Sequence, residues 1–143
     1  MKIRIKRIDP TLPLPEYQTA GSVAFDLLAR AATEIPPHTI ALVPANVIVE
    51  TPPGYMFLIA SRSSTPKKKG LLIPNGIGVI DQDYCGENDE VMIQMYNFTD
   101  TPATVERGER IAQGIFVKIE KAELEETEQD FAKKSRGGFG STG

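Results

Sequence analysis

Proline and glycine recur through nearly the whole of this chain, eleven of one and twelve of the other, interrupting it about every eight to twelve residues. Proline cannot donate a backbone hydrogen bond, and glycine in a helix interior costs stability. Long helices are thereby excluded, and many short strands joined by turns remain. At 143 residues the chain suits one domain whose core needs no disulfide or metal.

Most segments between the breaks carry a strand pattern. Met1, Ile3 and Ile5 alternate with Lys2, Arg4 and Lys6. From Gly21 to Ala29, Val23, Phe25 and Leu27 oppose Ala24, Asp26 and Leu28. Two apolar runs between Thr39 and Glu50 are split at Pro44, and Tyr55 to Ala60 is continuously apolar, as in a strand covered on both faces. Val91 to Asn97 alternates again; the expected partner is the apolar run before it, in a hairpin joined near residues 87–90. Arg110 to Ile119 is the last long strand, with Ile111, Gln113, Ile115, Val117 and Ile119 sharing one face. Lys118 to Lys134 reads as a short helix or an irregular arm.

Charge and cysteine content narrow the classes of function. A net charge of −3 with 24% charged residues gives no field suited to nucleic acid or a membrane surface, although a local anion site is compatible with it. The lone Cys85 cannot form an internal disulfide, and no apolar run is long enough for a membrane span or signal peptide. A cytoplasmic protein is expected. His38, beside two prolines and without a second ligand nearby, reads as a loop residue and not a metal site.

Chemistry-bearing residues concentrate in a few stretches. Asn75 to Glu87 sets a β-prone run against the glycines at 76 and 78 and ends in Asp81, Asp83 and Tyr84, the composition of a narrow pocket with chemistry at its tip. Arg62-Ser63-Ser64 offers a guanidinium and two hydroxyls in one turn, which suits either phosphate capture or a helix cap. Lys67, Lys68 and Lys69 follow it as a solvated face that adds to any anion field. Asp26 inside an apolar strand either caps a neighbouring backbone or faces a site. Gln113 is either hydrogen-bonded core or a site residue. The tail from Arg136 to Gly143 is either a loose terminus or a lid, since its glycines permit close wrapping while Arg136, Phe139, Ser141 and Thr142 supply a cation, a ring and two hydroxyls.

Five segments in order, Val23-Ala24-Phe25-Asp26-Leu27, Arg62-Ser63-Ser64, residues 75–86, residues 108–113 and residues 137–143, resemble the trimeric deoxyuridine triphosphate nucleotidohydrolases (dUTPases). The resemblance spans nearly the whole chain. It implies an all-β, distorted jelly-roll subunit with at most one short helix, comprising residues 1–134, and a glycine-rich lid at 135–143. It further implies a homotrimer with shared active sites. The implied activity is hydrolysis of dUTP to dUMP and pyrophosphate with Mg2+, limiting uracil in DNA and supplying dUMP for dTMP synthesis. By position, Asp81 orients and deprotonates the attacking water. Asn75 and the backbone of Gly78, Val79 and Ile80 read uracil, Tyr84 excludes a ribose 2′-hydroxyl, and Met92 lines the pocket. Arg62, Ser63, Ser64 and Gln113 bind phosphates. Arg136, Phe139, Gly140, Ser141 and Thr142 close over the substrate. Asp26 acts indirectly, through water on the metal or by hydrogen bonds to neighbouring site residues.

Three departures from the family pattern stand out. Ala24 replaces the usual glycine, the loop at 87–90 is about three residues longer than is common, and the tail arginine directly precedes Gly137. Two other functions compete with dUTP hydrolysis. A deoxycytidine triphosphate deaminase shares an Arg-Ser-Ser segment, but residues 81–84 and the Gly-Gly-Phe-Gly tail favour hydrolysis. A nucleotide-responsive binding protein on the same scaffold differs by having little turnover.

Overall fold

The structure is a computed structural model that describes residues 1–131, 133–135 and 137. The punctuation by proline and glycine yields short strands: β1 (Arg4–Arg7), β2 (Phe25–Leu28), β3 (Thr33–Ile35), β4 (Ile40–Pro44), β5 (Val47–Glu50) and β6 (Tyr55–Ser61). After the single short helix α1 (Thr65–Lys69) come β7 (Leu71–Leu72), β8 (Gly78–Ile80), β9 (Met92–Asn97), β10 (Ala103–Val105) and β11 (Arg110–Lys118). Pro66 in the first turn and Gly70 in the left-handed conformation bound α1, where the Gly70 N–H returns to the Pro66 carbonyl. The all-β expectation with at most one short helix therefore holds. No helix among the described residues is long and apolar enough to cross a membrane.

The strands form four antiparallel groups, β1-β5, β3-β10, β4-β9-β7 and β2-β11-β6-β8. They enclose one apolar core that includes Phe25, Leu27, Ile35, Val43, Val49 and Phe57. Each large side chain fully withdrawn from water there contributes about 1.5–3 kcal/mol before the entropy of ordering it is subtracted. Phe25, Phe57 and Phe116 cluster with ring centroids 5.0–5.8 Å apart. Gly114 on β11 makes that cluster possible, because a Cβ there would stand 2.5 Å from Phe57 Cε2 and 2.9 Å from Phe25 Cε2.

Four details differ from the sequence expectations. The pairing between β2 and β11 shifts register between Arg110 and Ala112. One extra residue reverses a two-residue period, so beyond Ile111 the core face carries Ala112, Gly114 and Phe116, and Gln113 points away from it. Val23 precedes β2 and is exposed, so the apolar face begins at Phe25. β6 is not buried on both faces: Phe57 and Ile59 are buried while Met56, Leu58 and Ala60 are half-buried. Finally, β8 pairs with β6, whereas β9 lies between β4 and β7. The expected ladder between β8 and β9 is absent among the described residues, and a cavity lies between them instead.

Beyond Lys118 the described residues carry no helix or strand, the irregular arm of the two alternatives. The lid assigned to 135–143 lies outside the described residues except for Ser135 and Gly137, so Arg136, Phe139, Gly140, Ser141 and Thr142 are outside them.

Candidate active site

The turn before β8 is built on Asn75 and Gly76. Gly76 adopts a φ of 77° and donates to the Ile73 carbonyl at 3.0 Å, while Ile77 N donates to Asn75 O at 2.9 Å. The turn delivers β8 to β6 with Gly78 opposite Ile59, Val79 opposite Leu58 and Ile80 opposite Phe57. A side chain at Gly78 would crowd Ile59, its Cβ only 3.2 Å from that of Ile59. Among the described residues β8 pairs along one edge only. Beyond its other edge lies a cavity of about 190 Å3, lined by Asn75, Gly78, Val79, Ile80 and Met92 together with Ile59, Ile73, Ile93 and Gln94. A strand edge beside an apolar slot can offer backbone donors and acceptors to a flat polar ring.

Asp81 follows β8 directly and is exposed, free to meet a water and a bound ligand. Gln82 ties the loop back through a 2.8 Å bond from Nε2 to the Tyr55 carbonyl. The Tyr84 N–H donates to Asp81 O at 3.3 Å, and its hydroxyl donates to Glu90 O at 3.1 Å. At the tip, Gly86 N donates to Asp89 Oδ2 at 2.7 Å, closing the long loop on itself.

A second cluster forms around β11, which lies between β2 and β6. Gln113 stands opposite Asp26 on one side and Ala60 on the other, and its amide donates to Ser61 O at 3.0 Å. The Asp26 carboxylate receives Arg62 Nε at 2.9 Å and Arg110 Nη1 at 3.4 Å. Arg62 also donates from Nη1 to the Arg110 carbonyl at 3.3 Å. This turn continues through Ser64, which caps α1 without using its hydroxyl for the cap. A cleft of about 340 Å3 follows, lined by Arg62, Ser64, Thr65, Lys68, Lys69, Glu109 and Arg110. Lys69 is braced by Glu109 at 2.9 Å and Thr104 O at 2.8 Å, leaving the cleft dominated by cations beside a hydroxyl. That is the chemistry of an anion site.

Both oxygens of Asp26 face arginines, Oδ1 toward Arg62 and Oδ2 toward Arg110. No group of three or more His, Cys, Asp or Glu side chains converges among the described residues. A hydrated Mg2+ carried on phosphate oxygens would need no such group.

The dUTPase family model matches residues 11–143 of the chain. Deoxyuridine 5'-triphosphate nucleotidohydrolase of Helicobacter pylori (strain P12) is 39% identical over 144 residues, covering 100% of this chain and 97% of that protein. The chain belongs to the dUTPase family. Among solved structures, the dUTPase of Streptococcus mutans shares 35% identity with a TM-score of 0.77, over 84% of this chain and 98% of that one. The Staphylococcus bacteriophage 80alpha dUTPase with dUpNHpp gives a TM-score of 0.86 at 26% identity, over 99% of this chain and 98% of that one.

Within the dUTPase framework, the candidate residues fall into separate groups. Asn75, Gly78, Val79, Ile80 and Met92 line one cavity, with Asp81 and Tyr84 following it. Met92 lines it despite the long preceding loop. Asp26 and Gln113 stand opposite each other on β2 and β11, Arg62 pairs with Asp26 from the turn after β6, Ser64 lines the cationic cleft, and Ser63 is exposed beside it. Two other clefts, of about 310 and 470 Å3, lie against Arg4 and Glu50 and contain none of these residues.

Lys68 and Lys69 of the lysine run that follows Arg62 line the cationic cleft, whereas three residues tied to these groups were not foreseen: Arg110, Arg30 and Glu90. Arg110 had a signal, since it lies three residues before Gln113 in one of the quoted segments. Arg30 forms a bidentate pair with Glu90, both contacts at 2.8 Å, across sixty residues of sequence. The Glu90 carboxylate, hydrogen-bonded to Arg30, raises the guanidinium pKa above its ordinary value. No local pattern marks such a pair.

Proposed function

We propose that this chain hydrolyses dUTP to dUMP and pyrophosphate by attack of water on the α-phosphorus. The observation that carries this reading is the cavity between β8 and β9, which gathers Asn75, Gly78, Val79, Ile80 and Met92 beside the exposed carboxylate of Asp81. The edge of β8 away from β6 presents N–H and C=O groups to the edge of uracil. A cavity of only about 190 Å3 leaves little room for a 5-methyl group, and crowding can discriminate more strongly than the loss of a methyl contact, worth about 1–3 kcal/mol.

Asp81 accepts a proton from the attacking water as the new bond from oxygen to the α-phosphorus forms. The bond from that phosphorus to the oxygen bridging toward the β-phosphorus breaks, and pyrophosphate leaves. Tyr84 packs against the deoxyribose and excludes a 2′-hydroxyl. Arg62, Ser63, Ser64 and Gln113 hold phosphate oxygens, with Asp26 orienting Arg62. Mg2+, when bound through phosphate oxygens and water, would neutralise part of the triphosphate charge. Arg136, Phe139, Gly140, Ser141 and Thr142 form the lid, with Phe139 on the base and Arg136 on the outer phosphates.

The base cavity and the phosphate cluster belong to a homotrimer whose active sites are shared between subunits. Exposed apolar side chains support an assembly: Ile40 and Leu42 on β4 are each more than half exposed, and Met92 and Phe98 are also exposed. The protein acts in the cytoplasm, with neither nucleic acid nor membrane as a partner.

The test is product analysis with dUTP, dCTP, dTTP and UTP in parallel. The expected result is dUMP and pyrophosphate from dUTP, with the other three poor substrates. Release of ammonia, or pyrophosphate from dCTP alone, would overturn the reading.

A further inference from the structure

A phenol excludes a hydroxyl by crowding only if its ring is held in place. Tyr84 has no help from regular structure, since residues 81–90 carry neither strand nor helix, and the residue is 39% exposed. Its fixed point is the 3.1 Å bond from its hydroxyl to the carbonyl of Glu90. The position of that one carbonyl therefore limits where the ring can sit.

Glu90 is fixed in two ways. On its C-terminal side, Val91 N donates to Val47 O and Ala45 N donates to Val91 O, both at 2.9 Å. At its side chain, Oε1 accepts Arg30 Nε at 2.8 Å and Asn46 N at 2.9 Å, while Oε2 accepts Arg30 Nη2 at 2.8 Å. A guanidinium fork on a carboxylate fixes direction as well as distance, which an ammonium does not. Asn46 is itself immobilised: it is buried, sits at a φ of 65°, and exchanges bonds of 2.7 and 3.1 Å with the backbone of Asp9. The Glu90 side chain is 13% exposed and is not among those lining the base cavity.

We propose that the Arg30–Glu90 pair is a positioning device that sets the sugar specificity of the active site by fixing, through the Glu90 carbonyl, where the Tyr84 ring stands. This rests on the assignment of dUTP as substrate and of Tyr84 to the deoxyribose. Neither Arg30 nor Glu90 lines the base cavity or the cationic cleft. The pair also gives the long 87–90 loop a role: its extra residues are tethered at the end that leads into β9, and Tyr84 takes its register from that tether.

A pair that merely braced the start of β9 would change stability and leave sugar choice alone. Steady-state kinetics with dUTP and UTP separate these roles, using the full chain and its Arg30→Lys, Glu90→Gln, Tyr84→Phe and Glu90→Gln/Tyr84→Phe variants, each also melted thermally. Arg30→Lys keeps a cation but loses the fork, so it carries the test if Glu90→Gln does not fold. Each of these two changes should lower the ratio of kcat/KM for dUTP over UTP about tenfold, the scale expected of a small misplacement at a reacting centre. With Tyr84→Phe already present, Glu90→Gln should change the ratio by less than about twofold, because the link it acts through is gone. A ratio preserved in Arg30→Lys and Glu90→Gln while Tm falls would overturn the positioning role, as would effects of Glu90→Gln and Tyr84→Phe that simply multiply. A wild-type chain that fails to hydrolyse dUTP, or that prefers UTP, would instead overturn the substrate assignment on which the role depends.

Discussion

The two halves of the candidate site are made of different materials. Beside β8 the functional surface is chiefly a backbone edge with apolar walls, positioned by seven short residues of turn and strand from Asn75 to Asp81. Around β11 it is a set of charged and amide side chains from three strands and a turn, held by Asp26 and by the register of Gln113. Backbone donors and acceptors cannot be removed by changing a side chain, so the first half should resist substitution and be damaged mainly by added volume. The second should respond to charge and to salt. A flat neutral base and a flexible polyanion call for these two kinds of surface, respectively.

The largest break in the comparison is at Asp81, the exposed carboxylate that follows β8. Asp81→Asn should lower kcat about 1,000-fold, the range of a lost general base, while isothermal titration still detects dUTP. Unchanged turnover would remove Asp81 from the chemistry. Next, Gly114→Ala places a methyl against Phe57 and Phe25 under the charged half. Urea denaturation should show a loss of about 1–3 kcal/mol from overpacking.

Asp26→Asn tests the charged half alone. Without the carboxylate, Arg62 and Arg110 lose their shared anchor, and KM for dUTP should rise about tenfold while the preference for dUTP over dCTP stays within about twofold. A lost base preference would show that the halves are not separable. Raising salt from about 0.05 M to about 0.5 M should likewise raise KM with base preference unchanged, because screening acts on the exposed cations.

The smallest effect lies away from both halves. Asp9 accepts hydrogen bonds from Thr11 and Arg107, and these hold its carboxyl well below the usual carboxylate range. A folded pKa below the unfolded one stabilises above the unfolded value and ceases to do so as pH falls toward the folded value. The Tm advantage of the wild type over Asp9→Asn should therefore shrink between about pH 5 and about pH 2.

Much of this fold is legible in the sequence because proline and glycine mark where strands end, and two-residue alternation marks what they are. Part of the lining of the cavity beside β8 is legible too, since Asn75, Gly78, Val79 and Ile80 lie in one continuous stretch. Pairing is harder. Nearness in sequence favours β8 with β9, but β8 takes β6 as its partner, and the separation of β8 from β9 is what opens the cavity. The face of β11 is misassigned for a different reason: a bulge of one residue inverts a period-two pattern and leaves no compositional trace. Asp26 illustrates a third limit. Its strand is apolar around it, yet only the fold shows that its two partners are Arg62 and Arg110, thirty-six and eighty-four residues on.

The division between the two halves is tested most directly by a crystal structure of the Asp81→Asn variant with dUTP. The expected result is uracil against the backbone of Gly78 to Ile80 with its triphosphate reaching Arg62 and Gln113. Uracil bound elsewhere, with the cavity between β8 and β9 unfilled, would contradict it.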